Sequence, residues 1–83
     1  MSPFVSDPLR TFTTNLRRTR EASGLTQEAV AWSAWMDQSY YNRIERGKVD
    51  PSVRTVARLA AALGANTSDL LRGVEGTARR VAD

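Results

Sequence analysis

Apolar residues recur at helical intervals along most of this chain, and glycines and prolines separate the recurring stretches. Leu9, Phe12 and Leu16 lie three and four apart, one stripe of a helix running from Pro8 to near Ala22. Asp7 before Pro8 suits its start, and Gly24 suits the left-handed position past its end. Thr26 is placed to cap a second helix with Val30, Ala31 and Ala34 inward and Glu28 complementing the dipole of its first turn. Asp37 is placed to cap a third helix that runs to about Arg46, turns Tyr41 and Ile44 inward together, and ends at Gly47. Pro51 disfavours helical geometry at Asp50, so Lys48-Val-Asp-Pro51 reads as a turn.

Ser52 then opens the helix with the clearest periodicity, Val53, Val56, Leu59, Ala60 and Leu63, closed by Gly64. Asn66 and Asp69 mark the start of a short fifth helix holding Leu70 and Leu71. No strand alternation, repeat or low-complexity tract interrupts this pattern. The expectation is an all-α domain of five helices over residues 8–73, between flexible ends at 1–7 and 74–83.

With 83 residues the chain makes one domain with a small core, and a partner subunit would help to stabilise it. The absence of cysteine excludes disulfides and thiolate metal sites, and the absence of histidine removes the usual zinc ligand and the commonest general base. No metal or other cofactor is expected. Ser, Tyr and carboxylates occur without a nucleophile–base pair, so an enzyme is the weakest reading. Neither a leader nor a membrane-length apolar stretch is visible, and the expected location is the cytoplasm. The net charge of +3 is modest. Its distribution is not: Arg43, Arg46, Lys48, Arg54 and Arg58 crowd one stretch that holds only Glu45 and Asp50 as acids. Such a run is either a solvated helix face or a surface for a polyanion.

That basic stretch surrounds the most specific chemistry in the chain. Two short helices joined by a tight corner cross steeply, so the second can project from the surface. On the third helix Gln38, Ser39, Asn42 and Arg43 share the outward face by offsets of three and four. Gln and Asn can pair with adenine, Arg with guanine and Ser with several bases, which suits a helix entering a DNA major groove. Thr26 and Gln27 offer a hydroxyl, an amide and backbone N–H groups to a phosphate. The alternatives are that Gln38 and Ser39 are simply solvated and that Arg43 pairs with a carboxylate such as Glu28.

Taken in order, Leu25-Thr-Gln-Glu28, Arg43-Ile-Glu-Arg-Gly47, Pro51-Ser52, Leu59-Ala60, Leu63-Gly64 and Leu70-Leu71 resemble the helix-turn-helix repressors of the phage Cro and repressor type. The resemblance covers residues 12–71 and implies a five-helix bundle of the phage-repressor DNA-binding type, with helices two and three as the helix-turn-helix. It further implies that Gln38, Ser39 and Arg43 read bases, with Asn42 a fourth candidate. Gln27 would bond a phosphate and brace Gln38, while Thr26, Tyr40, Arg46 and Lys48 would hold the DNA backbone. Tyr40 could equally be a core aromatic at the edge. Arg20 and Glu45 would form a structural ion pair. A homodimer on an inverted repeat would meet around residues 66–74, with Leu71 and Val74 facing the partner.

Two positions depart from the family pattern. Trp35 stands at the turn position usually held by glycine, where a left-handed bulky residue costs about 1–2 kcal/mol, so either the turn is rebuilt or the strain is tolerated. Tyr41 replaces the usual aliphatic residue, and its hydroxyl then needs a partner or water. Trp32 and Trp35 either form an exposed indole pair that meets a protein partner or fold back over the core. Overall the residues imply a sequence-specific regulator of transcription that binds double-stranded DNA. The competing reading is an antitoxin or other protein-interaction module with secondary DNA binding. Among regulators, the small size is similar to phage repressors and restriction–modification controllers, and the stretch Asp37-Gln-Ser-Tyr40 is similar to the latter.

Overall fold

A computed structural model of the chain describes residues 7–76, which form five helices and no strand. These are α1 (Pro8–Ala22), α2 (Gln27–Ser33), α3 (Gln38–Glu45), α4 (Val53–Leu63) and α5 (Thr67–Leu70). Side-chain oxygens close three of the N-termini. Asp7 accepts from the Leu9 N–H, Thr26 from Ala29 and Ser52 from Thr55, each at 3.0–3.1 Å. Asp37 occupies the same position before α3 by its backbone, but its carboxylate makes no capping bond. At α5 the Asp69 carboxylate accepts from the Asn66 N–H at 3.0 Å.

The helices pack around one core. Phe12 and Leu16 of α1, Val30 and Ala31 of α2, Tyr41 and Ile44 of α3, and Leu59 of α4 are all buried, and Leu70 closes the end. Helix α3 packs between α1 and α2, while α5 bridges α1 and α4. One amide fastens that bridge: Asn15 Nδ2 donates to the carbonyls of Leu70 and Arg72, both at 2.9 Å. Val53, expected in the apolar stripe of α4, is instead 81% exposed. It lies in the first turn of the helix, beyond the core that covers Val56. Residue 7 and residues 74–76 are the only parts of the expected flexible ends within the described residues. Of these, Asp7 caps α1 and Val74 packs half-buried against the core. Among the described residues no helix is long and apolar enough to cross a membrane.

The corners of the fold are built alike. After α1, α3 and α4 a left-handed glycine (Gly24, Gly47, Gly64) carries the same two bonds, from its own N–H three residues back and from the next N–H five back. At Gly64 these run to Ala61 at 3.2 Å and, from Ala65, to Ala60 at 2.9 Å. This is the Schellman arrangement, which satisfies carbonyls that the helix end leaves open. The corner after α2 makes the same pair, Trp35 to Trp32 at 3.2 Å and Met36 to Ala31 at 3.0 Å, with Trp35 at φ +60°. The turn is therefore not rebuilt around the tryptophan. The left-handed strain is tolerated, and the indole, 86% exposed, contributes almost no core burial in return.

Replacing that residue removes strain without opening a cavity. Trp35→Gly relieves about 1–2 kcal/mol of left-handed penalty, against up to about 1 kcal/mol of added unfolded-state entropy. The expected outcome is a melting temperature equal to or above that of the parent by calorimetry. A loss above roughly 2 kcal/mol would mean that the indole is packed.

Candidate nucleic-acid interface

The outward side of α3 rests on a buried polar network. Glu45, 5% exposed, receives Arg20 Nε on Oε2 at 2.6 Å and Arg20 Nη2 on Oε1 at 3.1 Å. Arg20 Nη1 also donates to the Leu25 carbonyl at 3.1 Å, tying the α1–α2 connection to the same guanidinium. The Tyr41 hydroxyl, one turn before Glu45 on α3, donates to Oε2. This is the partner that a buried tyrosine in an aliphatic position requires. Gln27 Nε2 adds a bond to Oε1 at 2.9 Å.

The charges respond to this enclosure. Burial alone would raise the Glu45 carboxyl, but the bonds from Arg20, Tyr41 and Gln27, with the Arg20 charge, hold it below the usual range. Burial, reinforced by the bond to the Glu45 carboxylate, pushes the Tyr41 phenol well above its usual value. The bond to Glu45 raises Arg20 against the opposing effect of its own burial.

The network reaches the surface through Gln27. Its Oε1 accepts from Asn42 Nδ2 at 3.1 Å, so the amide of Gln27 links Glu45 to Asn42. The expected brace between Gln27 and Gln38 is not formed; the Gln27 amide instead donates to Glu45 and accepts from Asn42. Asn42 is half-buried, and its amide group is already donating. Gln38, Ser39 and Arg43 are exposed, and Arg43 forms no ion pair with Glu28. Tyr40 packs half-buried at the edge of the core.

The cations Arg43, Arg46, Lys48, Arg54 and Arg58 are all exposed. Thr26 is exposed too, its Oγ1 accepting the capping bond of α2. Two cations that the sequence reading passed over join them. Arg10 and Arg17 of α1 line one polar groove with Arg46 and Gly47. Their spacing of seven, two helical turns, was the available signal. Leu71 is 40% exposed beside an apolar groove that Val74, Leu9, Phe12 and Val56 also line. Among the described residues no cluster of His, Cys, Asp or Glu could hold a metal ion.

Known proteins share the fold and much of the sequence. The family described as helix-turn-helix domain matches residues 12–72. The chain is 38% identical over 60 residues to the HTH-type transcriptional regulator DdrOP3 of Deinococcus deserti, covering 72% of this chain and 46% of that one. It therefore spans less than half the length of that relative. Over 56 residues it is 34% identical to the control protein C.MunI of Mycoplasma sp, covering 68% of this chain and 76% of the relative. The crystal structure of the restriction-modification controller protein C.AhdI from Aeromonas hydrophila superposes with a TM-score of 0.72 at 37% identity. That match covers 75% of this chain and 94% of the controller.

The Glu45 network makes stability depend on pH at both ends. A depressed carboxyl contributes stability above its unfolded value, about 4.3, and the contribution is lost as pH falls through the folded value. A raised phenol contributes below its unfolded value, about 10, and the contribution is lost as pH climbs above that. Tyr41→Phe removes the phenol and one bond to the carboxylate. Chemical denaturation from pH 3 to 11 should show a loss of about 1.5–3 kcal/mol at pH 7, a smaller acid-side slope and a flattened alkaline limb. An unchanged profile would mean that the hydroxyl contributes nothing to Glu45.

Proposed function

The chain belongs to the helix-turn-helix domain family, and on that premise we propose that it is a sequence-specific regulator of transcription that binds an inverted repeat in double-stranded DNA as a homodimer. Its work is binding, with no reaction of its own. The observation that carries this reading is the division of α3 into two sides. Tyr41, Ile44 and Glu45 are locked inward, while Gln38, Ser39 and Arg43 stand on the outward face with the exposed cations Arg46 and Lys48 following in the chain.

With α3 in the major groove, Gln38, Ser39 and Arg43 read base edges, and Asn42 offers its free Oδ1 from a position set by Gln27. Arg46 and Lys48 neutralise phosphates, with Arg10 and Arg17 on the same groove as Arg46. Thr26 and Tyr40 contribute from the edge. Gln27 offers a phosphate the second N–H of its Nε2, the first being held by Glu45.

One such helix covers only a few base pairs, too little for selective binding in a genome, whereas two on one face of DNA multiply discrimination. The exposed Leu71 at the end of α5 supports a twofold contact there, with the recognition helices about 34 Å apart, one turn of DNA. Val74 is already half-buried against its own core, so it would border that contact while Leu71 forms its centre.

Selection of bound duplexes from random DNA tests the reading. Arg43→Ala should cost about 1–3 kcal/mol on the preferred site and relax preference at one base position. Lys48→Ala should weaken all sequences alike and reduce the salt dependence. An Arg43→Ala protein that selects the parent's site unchanged would refute the base-reading role.

The dimer is tested by sedimentation with half-site and palindromic duplexes. Two chains should occupy the palindrome with affinity well above that for the half-site, and Leu71→Asp should abolish the gain. A one-to-one complex whose affinity ignores a second half-site would rule the dimer out.

A further inference from the structure

The protein's two tryptophans lie together at the corner between α2 and α3, where no base-reading role has been given to them. Trp32 is 84% exposed and Trp35 86%, and with Ser33, Met36 and Asp37 they line an open cleft of about 560 Å³. A single exposed apolar side chain is ordinary, but two adjacent indoles form a patch. One of them is held at a strained φ of +60° that a glycine would occupy freely. The fold does not need either ring.

The chemistry of the lining narrows the occupant. Its only charge is the Asp37 carboxylate, which is exposed, caps nothing and forms no ion pair among the described residues. Glu28 lies one helical turn before Trp32, on the same side of α2, and adds a second negative charge nearby. Among the described residues no cation lines the cleft. An anion such as a DNA phosphate would meet repulsion here. An aliphatic side chain would cover the indoles but desolvate the carboxylate without pairing it. A cation satisfies both surfaces, and among cations the planar, weakly hydrated guanidinium stacks on indole and forks to a carboxylate, as an ammonium does not.

We propose that the Trp32–Trp35 cleft is a docking site for an arginine side chain of a partner protein, stacked on indole and paired with Asp37. The lining stops at Asp37 and includes none of Gln38, Ser39, Asn42 and Arg43, so it serves a protein contact beside the base-reading face.

Because both tryptophans line the cleft, tryptophan emission, excited selectively over Tyr40 and Tyr41, reports on it. The probe is a capped peptide of alternating arginine and glycine, compared with the same peptide carrying lysine or the neutral isostere citrulline. The arginine peptide should shift the emission saturably, the lysine peptide about two- to five-fold more weakly, and the citrulline peptide not at all. Asp37→Asn should weaken arginine binding about two- to five-fold, and Trp32→Ala should do so while leaving Trp35 as the reporter and the melting temperature unchanged. Equal binding of the citrulline peptide, or an Asp37→Asn protein that binds as the parent does, would overturn the proposal. So would a duplex that quenches the indoles by itself together with a loss of DNA affinity in Trp32→Ala, since the cleft would then be a DNA surface.

Discussion

A carboxylate almost out of contact with water holds three helices of this protein in register. Glu45 sits at the end of α3 and draws in Arg20 from α1 and Gln27 from α2, while Tyr41 covers it from its own helix. Burying an ion pair stabilises little over an apolar equivalent, because the desolvation of two charges offsets most of their attraction. Removing one partner is another matter, costing about 3–5 kcal/mol, since the other charge is stranded. The pair therefore acts chiefly as a constraint. An arrangement of α1, α2 and α3 that separated Arg20 from Glu45 would strand both charges, whereas an apolar contact would permit many nearby packings.

The corners supply the second constraint. Four helices end with the same pair of backbone bonds, so each chain reversal is set by local geometry before any distant contact forms. Residues following the left-handed position (Leu25, Met36 and Ala65) are half-buried against the core, which couples three of these corners to packing. Trp35 breaks the residue preference of that motif without breaking the motif. The two bonds and the seating of Met36 outweigh a steric penalty of about 1–2 kcal/mol. Such strain at an exposed side chain has no structural return, which is why the corner invites a functional account.

The helices were legible in the sequence because each one carries its own signals within a few residues. Asp7-Pro8, Thr26 and Ser52 mark starts, the apolar stripes mark faces, and glycines mark most of the ends. The exposure of Trp32 was left open, although Val30, Ala31 and Ala34 define the inner side of α2 and residue 32 lies roughly 150° round from their centre. Val53 misled because periodicity counts spacing but not whether a neighbouring element extends far enough to cover the first turn. Gln27 misled for a related reason. Whether its amide meets Gln38, Asn42 or Glu45 depends on how two helices cross, and no spacing within either helix contains that angle. Asn15, which clamps the end of α5 across more than fifty positions, left no local signal at all.

The same distinction separates the residues of the surface proposed to face DNA. Ordering an exposed long side chain costs up to about 1.5–2 kcal/mol of rotamer entropy, which must be met when a ligand binds. Asn42 has already met its share, since its amide is anchored through Gln27 to Glu45 and thence to Arg20. Gln38 and Arg43 have not, and their fixation falls on the complex itself. On the proposed reading, a surface of this mixed kind would reject a wrong sequence in two ways. A base that clashed at Asn42 would meet a side chain that can yield only by breaking a bonded chain reaching into the core. A base that merely failed to bond Gln38 or Arg43 would leave those side chains to water, so the loss would be confined to the missing contact.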